Sequence, residues 1–178
     1  GLEPDVGPAA DYVLAQASVA TGELQQALAL LDRARTGFEG AGDTWSALRT
    51  NLGRTHILNE MGRHDDALAA SRAIIDALGP GPGSAVDRTE EERTELLAAA
   101  EQNSALCHEL MGGFELALAA YDRAEVGYRR AGETRAGAEV RYDRALLLLN
   151  LGRHREALAA LHDVADVLRQ GGLRAILA

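Results

Sequence analysis

The stretch Gly62-Arg-His-Asp-Asp-Ala-Leu-Ala-Ala70 decides the fold, because it returns as Gly152-Arg-His-Arg-Glu-Ala-Leu-Ala-Ala160 with seven of nine residues identical. Looser copies begin at Gly22 and Gly112, and all four share a Gly, four residues and then Ala-Leu-Ala. The four glycines are spaced by 40, 50 and 40 residues, so the first two copies look duplicated as the last two. Self-similarity at such a period is typical of helical repeat proteins.

Apolar residues at helical spacing on both sides of each glycine predict two helices per copy. Start signals agree: Pro8 suits a first helical position, Asp43 and Thr44 are N-cap candidates, and Thr89 with Glu92 forms a capping box. Each pattern ends at a glycine that can take the left-handed conformation. The sequence therefore predicts an all-α fold, an α-solenoid of four helix-turn-helix repeats with about eight antiparallel helices.

We expect one domain over residues 1–178, with repeats at about 8–42, 43–79, 87–132 and 133–172. A loop at 79–86 joins the second and third repeats and contains Gly79-Pro-Gly-Pro-Gly83. This loop is not a phosphate-binding loop, because no strand precedes it, it has no Lys, and its prolines lack the amides that such loops use. Gly1 in place of Met, and Leu173-Arg-Ala-Ile-Leu-Ala178, which resembles another first helix, indicate a fragment of a longer chain.

The composition is that of a globular protein, with 47% hydrophobic and 25% charged residues and a formal net charge of −9. Every basic residue other than His is Arg, which excludes Schiff-base lysines and a P-loop lysine. The acidic balance argues against nucleic-acid binding. No apolar run approaches the roughly 18 residues of a membrane span, and no signal peptide opens the chain. We expect a cytoplasmic protein with no nucleic-acid or membrane partner.

No residue pattern indicates an enzyme, a cofactor or a metal site. Cys107, the only cysteine, adjoins His108, but neighbours on a helix point about 100° apart, so a buried structural thiol is favoured. His64 and His154 occupy the same place after the turn glycine, where packing at the turn is the simplest interpretation. No His has a His or Cys at the i+3 or i+4 spacing of a zinc site.

The chain resembles the tetratricopeptide repeat in a long form of about forty residues. That family has a small residue in the middle of the first helix, which here would be Ala15, Thr55, Ala105 and Ala145. It has Ala early in the second helix, supplied by Ala27, Ala67, Ala117 and Ala157. The family's aromatic residue near the start of the first helix is replaced by Asp11, Asn51, Glu101 and Arg141, and the closing Pro of each repeat is missing.

The resemblance implies a right-handed solenoid whose first helices line a concave groove for a peptide or protein segment. Groove residues would be Tyr12, Gln16, Arg49, Leu52, His56, Asn59, Gln102, Leu106, Glu109, Tyr142, Leu146 and Leu149. The Lys and Asn set that clamps a C-terminal carboxylate in some tetratricopeptide domains is absent. Ala-, Arg- and Gly-rich arrays of this type are similar to the helical regions of large bacterial caspase-like peptidases and multidomain transcriptional regulators.

Other functions stay open at this level. The array could be a structural spacer or regulatory arm that self-associates through its terminal repeats, or a small-molecule sensor with a pocket between helices. An Arg-rich stretch at 129–155 is either a solvated face of salt bridges or an anion contact that involves Arg141 and Arg144.

Overall fold

The computed structural model describes residues 7–79 and 88–170, which form eight α-helices and no strand. In chain order these are α1 (Pro8–Ala20), α2 (Leu24–Gly40), α3 (Thr44–Glu60), α4 (His64–Leu78), α5 (Glu90–Leu110), α6 (Phe114–Ala131), α7 (Thr134–Asn150) and α8 (His154–Gln170). The all-α prediction is confirmed. All but the first residue of the predicted 79–86 loop, and the segment 173–178, lie outside the described residues.

The helices begin where the local signals predict. Pro8 is the first residue of α1, and the Asp43 side chain accepts a hydrogen bond of 3.0 Å from the Ser46 amide at the start of α3. At α5 the capping box is complete, since Thr89 and Glu92 each accept a hydrogen bond from the other's backbone amide. These caps satisfy amides that have no partner within the first helical turn.

The turn glycines take the conformation that the repeat pattern requires. Gly62 and Gly152 have φ angles of +72° and +73°, in the left-handed region that other residues rarely enter. At the first of these turns the Gly62 amide donates to the Asn59 carbonyl at 3.0 Å, and the Arg63 amide donates to Leu58 at 2.8 Å. The same pattern recurs at the second turn, so each reversal closes the helix before it.

The chain divides into two compact units, Gly1–Asp87 (unit 1) and Arg88–Ala178 (unit 2). Each unit holds two of the predicted repeats. Within unit 1 the consecutive helices α1 to α4 pack in sequence, and within unit 2 the helices α5 to α8 do the same. The single domain over 1–178 stays a prediction.

Small residues let the paired helices approach closely. The four early alanines of the second helices, Ala27, Ala67, Ala117 and Ala157, are all 0% exposed. In unit 2 a Cβ added at Gly127 of α6 would lie 2.7 Å from the Ala98 Cβ of α5. Gly37, ninety residues earlier, stands in the same relation to Pro8 at 2.8 Å. Side chains of this size set the short axial distance at which the helix pairs pack.

Buried carboxylates, each paired with an Arg, occupy two of the positions where the resemblance expects an aromatic residue. Asp11 and Glu101 are only 5% and 7% exposed, and each accepts two hydrogen bonds from an Arg twenty-two residues later. The Arg33 Nε lies 3.1 Å from Asp11 Oδ2, and the Arg123 Nε and Nη2 lie 2.8 and 2.9 Å from the two Glu101 oxygens. A carboxylate–guanidinium bridge therefore joins the two helices of the first repeat in each unit.

A second ion pair recurs at the same ninety-residue interval and joins one repeat to the next. The Arg54 Nε lies 2.7 Å from Asp32 Oδ1, and the Arg144 Nε lies 2.7 Å from Asp122 Oδ1. Both are ion-pair contacts without an aligned hydrogen bond from Nε. The same two ion pairs between helices therefore occur within each unit.

Candidate functional site

The twelve predicted groove residues lie on the first helices of the repeats, and none of them is buried. Seven are exposed: Gln16, Arg49, His56, Leu106, Tyr142, Leu146 and Leu149. Five are partly buried: Tyr12, Leu52, Asn59, Gln102 and Glu109. The helical register therefore turns them toward solvent, and their part in binding stays a prediction.

In unit 1 a cleft of about 210 Å³ opens between α1 and α3. It is lined by Tyr12, Ala15, Gln16, Val19, Leu31, Gly53, His56 and Ile57. Three predicted groove residues, Tyr12, Gln16 and His56, come together here, whereas Arg49 and Leu52 are not in its lining. The cleft is smaller than the roughly 300–1,000 Å³ typical of sites for drug-sized ligands.

The cleft has an apolar floor and a polar rim. Ala15, Leu31 and Ile57 form the floor and are almost completely buried. At the rim, the His56 Nε2 lies 3.1 Å from the Glu60 carboxylate, and its side chain is 62% exposed. The amide of Gln16 is exposed beside it, so a side chain that entered the cleft would meet hydrogen-bonding groups at its mouth.

Asn59, a predicted groove residue, also contacts the turn between α3 and α4. Its Oδ1 lies 3.2 Å from the Nδ1 of His64, the first residue of α4. This contact spans the reversal at Gly62 and gives His64 the role in turn packing that the sequence favours. A substitution at Asn59 would therefore disturb the turn as well as the surface.

In unit 2 two predicted groove residues are held by a polar network that links three helices. The Tyr121 hydroxyl of α6 donates to Glu109 Oε2 at 3.1 Å. Gln102 of α5 donates to Asp143 Oδ2 of α7 at 3.2 Å and accepts from the Tyr128 hydroxyl at 3.2 Å. Sequence reasoning did not name Asp143, although its spacing of three from Leu146 places it on the same side of α7.

Burial controls the acid–base behaviour of this network. It raises the pKa of Tyr121 well beyond its ordinary value, and the negative charges of Glu109 and Asp143 raise it further. Burial also raises the pKa of Tyr128 to about 12, and the nearby charges of Glu95 and Glu139 contribute. The pKa of Asp143 is raised by burial, while the hydrogen bond from Gln102 opposes that rise.

We expect the chain to lose stability in alkali between about pH 10 and pH 12. The pKa of Tyr128 is higher in the folded protein than its ordinary value of 10.0, so the unfolded chain releases this proton first. The resulting stabilisation is complete below pH 10 and is lost as pH rises through the folded pKa. Urea unfolding from pH 8 to 12 measures it, and Tyr128→Phe should flatten the decline. An identical decline in the variant would refute the assignment to Tyr128.

Arg141 and Arg144, the candidate anion contact, both have a carboxylate partner on α6. The Arg141 Nη2 lies 2.5 Å from Glu125 Oε1, with both side chains about one-fifth exposed, and Arg144 pairs with Asp122. Each positive charge is therefore balanced within unit 2. Of the two interpretations of the Arg-rich stretch, salt bridges rather than a free anion contact describe these two residues.

Cys107 is completely buried in α5, in keeping with a structural thiol. Across residues 7–79 and 88–170, three or more His, Cys, Asp or Glu side chains nowhere come together as a metal site would need. None of the helices described above is long and apolar enough to cross a membrane.

Comparison with known proteins adds no family. No protein-family model matches the chain, and no curated protein matches it either. The likeness to the tetratricopeptide repeat therefore rests on the sequence pattern alone, on the turn glycines and the second-helix alanines.

Proposed function

We propose that the chain is a non-catalytic scaffold of the tetratricopeptide type, which binds a peptide or protein segment along the solvent-facing side of its first helices. The observation that carries the proposal is the cleft between α1 and α3, with its apolar floor and polar rim. By the same resemblance, the array would serve within a larger bacterial protein of the cytoplasm.

The size and chemistry of the cleft favour a peptide over a small ligand. A volume of about 210 Å³ suits a single side chain better than a drug-sized molecule. Gln16 and His56 stand at its mouth and can hydrogen-bond to the main chain of a bound segment. Peptide-binding surfaces commonly combine such main-chain contacts with pockets for individual side chains.

An arrayed library of fluorescent synthetic decapeptides, measured by anisotropy with the whole chain, tests the proposal. The double variant Gln16→Ala with His56→Ala removes the polar rim and leaves the buried floor intact. A subset of the peptides that the unaltered chain selects, those that occupy the cleft of unit 1, should bind at least about tenfold more weakly to this variant, which corresponds to about 1.4 kcal/mol.

The matched control is Gln25→Ala with Gln26→Ala, two exposed residues on α2 that lie outside the cleft. It should bind the same peptides with unchanged affinity. Equal binding of every selected peptide by the rim variant and the control would refute the groove assignment in unit 1. A library from which the unaltered chain selects no peptide would refute the scaffold function.

A further inference from the structure

The solvent-facing side of α5 and α7 in unit 2 carries an unusual combination of side chains, which we call the unit 2 face. It consists of Leu106, Glu109, Leu110, Tyr142, Asp143, Leu146 and Leu149. The hydrogen bond from Gln102 to Asp143 ties the two helices together beneath it. The face therefore lies on two helices that are joined within unit 2.

The unit 2 face carries several large apolar side chains that are exposed to water. Five large side chains, Leu106, Leu110, Tyr142, Leu146 and Leu149, are each 37–50% exposed. Single exposed apolar residues are ordinary, but a group of five on two linked helices is typical of an interaction site.

Two partly buried carboxylates lie in the same face, and their partners are neutral. Glu109 accepts from the hydroxyl of Tyr121, and Asp143 accepts from the amide of Gln102. The negative charges of both contribute to the raised pKa of Tyr121, whose hydroxyl donates directly to Glu109. Within the residues that the structure describes, neither of them forms an ion pair.

The nearest arginines of α7 are already engaged elsewhere. Arg141 pairs with Glu125 and Arg144 pairs with Asp122, both on α6. Partly buried negative charge without a cation is costly, and the raised pKa of Asp143 reflects that cost. An arriving cation would therefore gain more here than at a solvated surface carboxylate.

We propose that the unit 2 face binds a protein segment that presents an Arg or Lys side chain between apolar residues such as Leu. The proposal rests on the proposed scaffold function and names the class of partner for this unit. The apolar side chains would bury the flanking residues, and the two carboxylates would receive the cation. Arg suits the site best, because its planar guanidinium can bond two carboxylate oxygens and can also stack on an exposed ring such as that of Tyr142.

Octapeptides of Leu, Ser and Gly built around one central Arg are the probe, together with a matched set in which neutral citrulline replaces Arg. Anisotropy with the whole chain should show at least about tenfold tighter binding of the Arg set. Glu109→Gln with Asp143→Asn should abolish this preference, since both amides keep the acceptors for Tyr121 and Gln102. The preference should also weaken as salt is raised.

The control is Glu91→Gln with Glu95→Gln, which removes the same charge from exposed positions of α5. It should keep the Arg preference. The inference is overturned if the unaltered chain does not distinguish Arg from citrulline, if the preference survives in the Glu109 and Asp143 variant, or if the control loses it equally.

Two further outcomes decide between failure of the variant to fold and failure of the inference. If the Glu109 and Asp143 variant loses helix content by circular dichroism, then Leu106→Ser and Leu146→Ser, both at exposed positions, should each weaken binding of the Arg set, and unchanged binding would overturn the inference. If the decapeptide experiment on unit 1 succeeds while the Arg preference is absent, this inference alone fails. If no peptide binds in either experiment, the scaffold function fails with it.

Discussion

Replacing Gly127 by leucine is expected to destabilise the chain by about 3 kcal/mol, at the upper end of what overpacking usually costs. A Cβ at this position would lie 2.7 Å from the Ala98 Cβ and 3.3 Å from its Cα. Those atoms belong to the backbone of α5 or lie next to it, so rotation of a side chain cannot relieve the contact. The helices α5 and α6 would have to separate, and the surrounding alanine contacts would be lost with them.

Gly40→Leu is the matched control for this substitution. Gly40 ends α2, and nothing lies within 4 Å of a Cβ added there. Because Gly is a poor helix former, this variant should be neutral or slightly stabilised. Urea unfolding followed by circular dichroism at 222 nm compares the two. Equal midpoints would contradict the close approach of α5 and α6 described here.

Arg123→Ala is expected to lower the free energy of unfolding by about 2 kcal/mol, because it leaves the carboxylate of Glu101 without a cation between α5 and α6. Glu101 is 7% exposed and both its oxygens accept from Arg123, at 2.8 and 2.9 Å. The Arg side chain itself is about half exposed, which keeps the effect below that of a fully buried pair. Thermal unfolding should show a clear fall in Tm.

Arg135→Ala provides the comparison, since Arg135 and its ion-pair partner Glu139 both have exposed side chains. It should change stability by no more than about 0.5 kcal/mol. Replacing both Glu101 and Arg123 by Met should recover most of the loss, because no buried charge then lacks a partner. If Arg123→Ala and Arg135→Ala behaved alike, the bridge would have no more effect than a surface ion pair.

Local features of the fold were predictable because local chemistry decides them. The left-handed turn at Gly62, the cap at Asp43 and the capping box at Thr89 each depend on residues within a few positions of one another. The early alanines of the second helices were also predictable, since their spacing from each turn glycine repeats. The eight helices follow from these signals together.

The ion pairs were not predicted, because their partners are distant in sequence. Asp11 and Glu101 looked like mere departures from the aromatic residue of the resembled family. Only the packing of paired helices brings Arg33 and Arg123, each twenty-two residues later, against them. A sequence signal was nevertheless present, because the acidic residue and the Arg recur together at corresponding positions ninety residues later.

The candidate site was predictable only in part. Tyr12, Gln16 and His56 were named from the resemblance and do lie together at the cleft. Gly53 could not be named, because its contribution is the absence of a side chain above Leu31, which only the packing of α3 on α2 reveals. Asp143 was missed for the opposite reason, since its importance comes from partial burial and a hydrogen bond to another helix.

The ninety-residue correspondence has a consequence for how such a chain can evolve. Positions that hold the helices together keep their chemistry from one unit to the other, as at Gly37 and Gly127. Positions on the solvent side do not: ninety residues after Gln16 stands Leu106, and ninety after His56 stands Leu146. Under the proposed scaffold function, substitutions at exposed positions such as these would change recognition with little effect on folding, so the two units would be free to acquire different specificities.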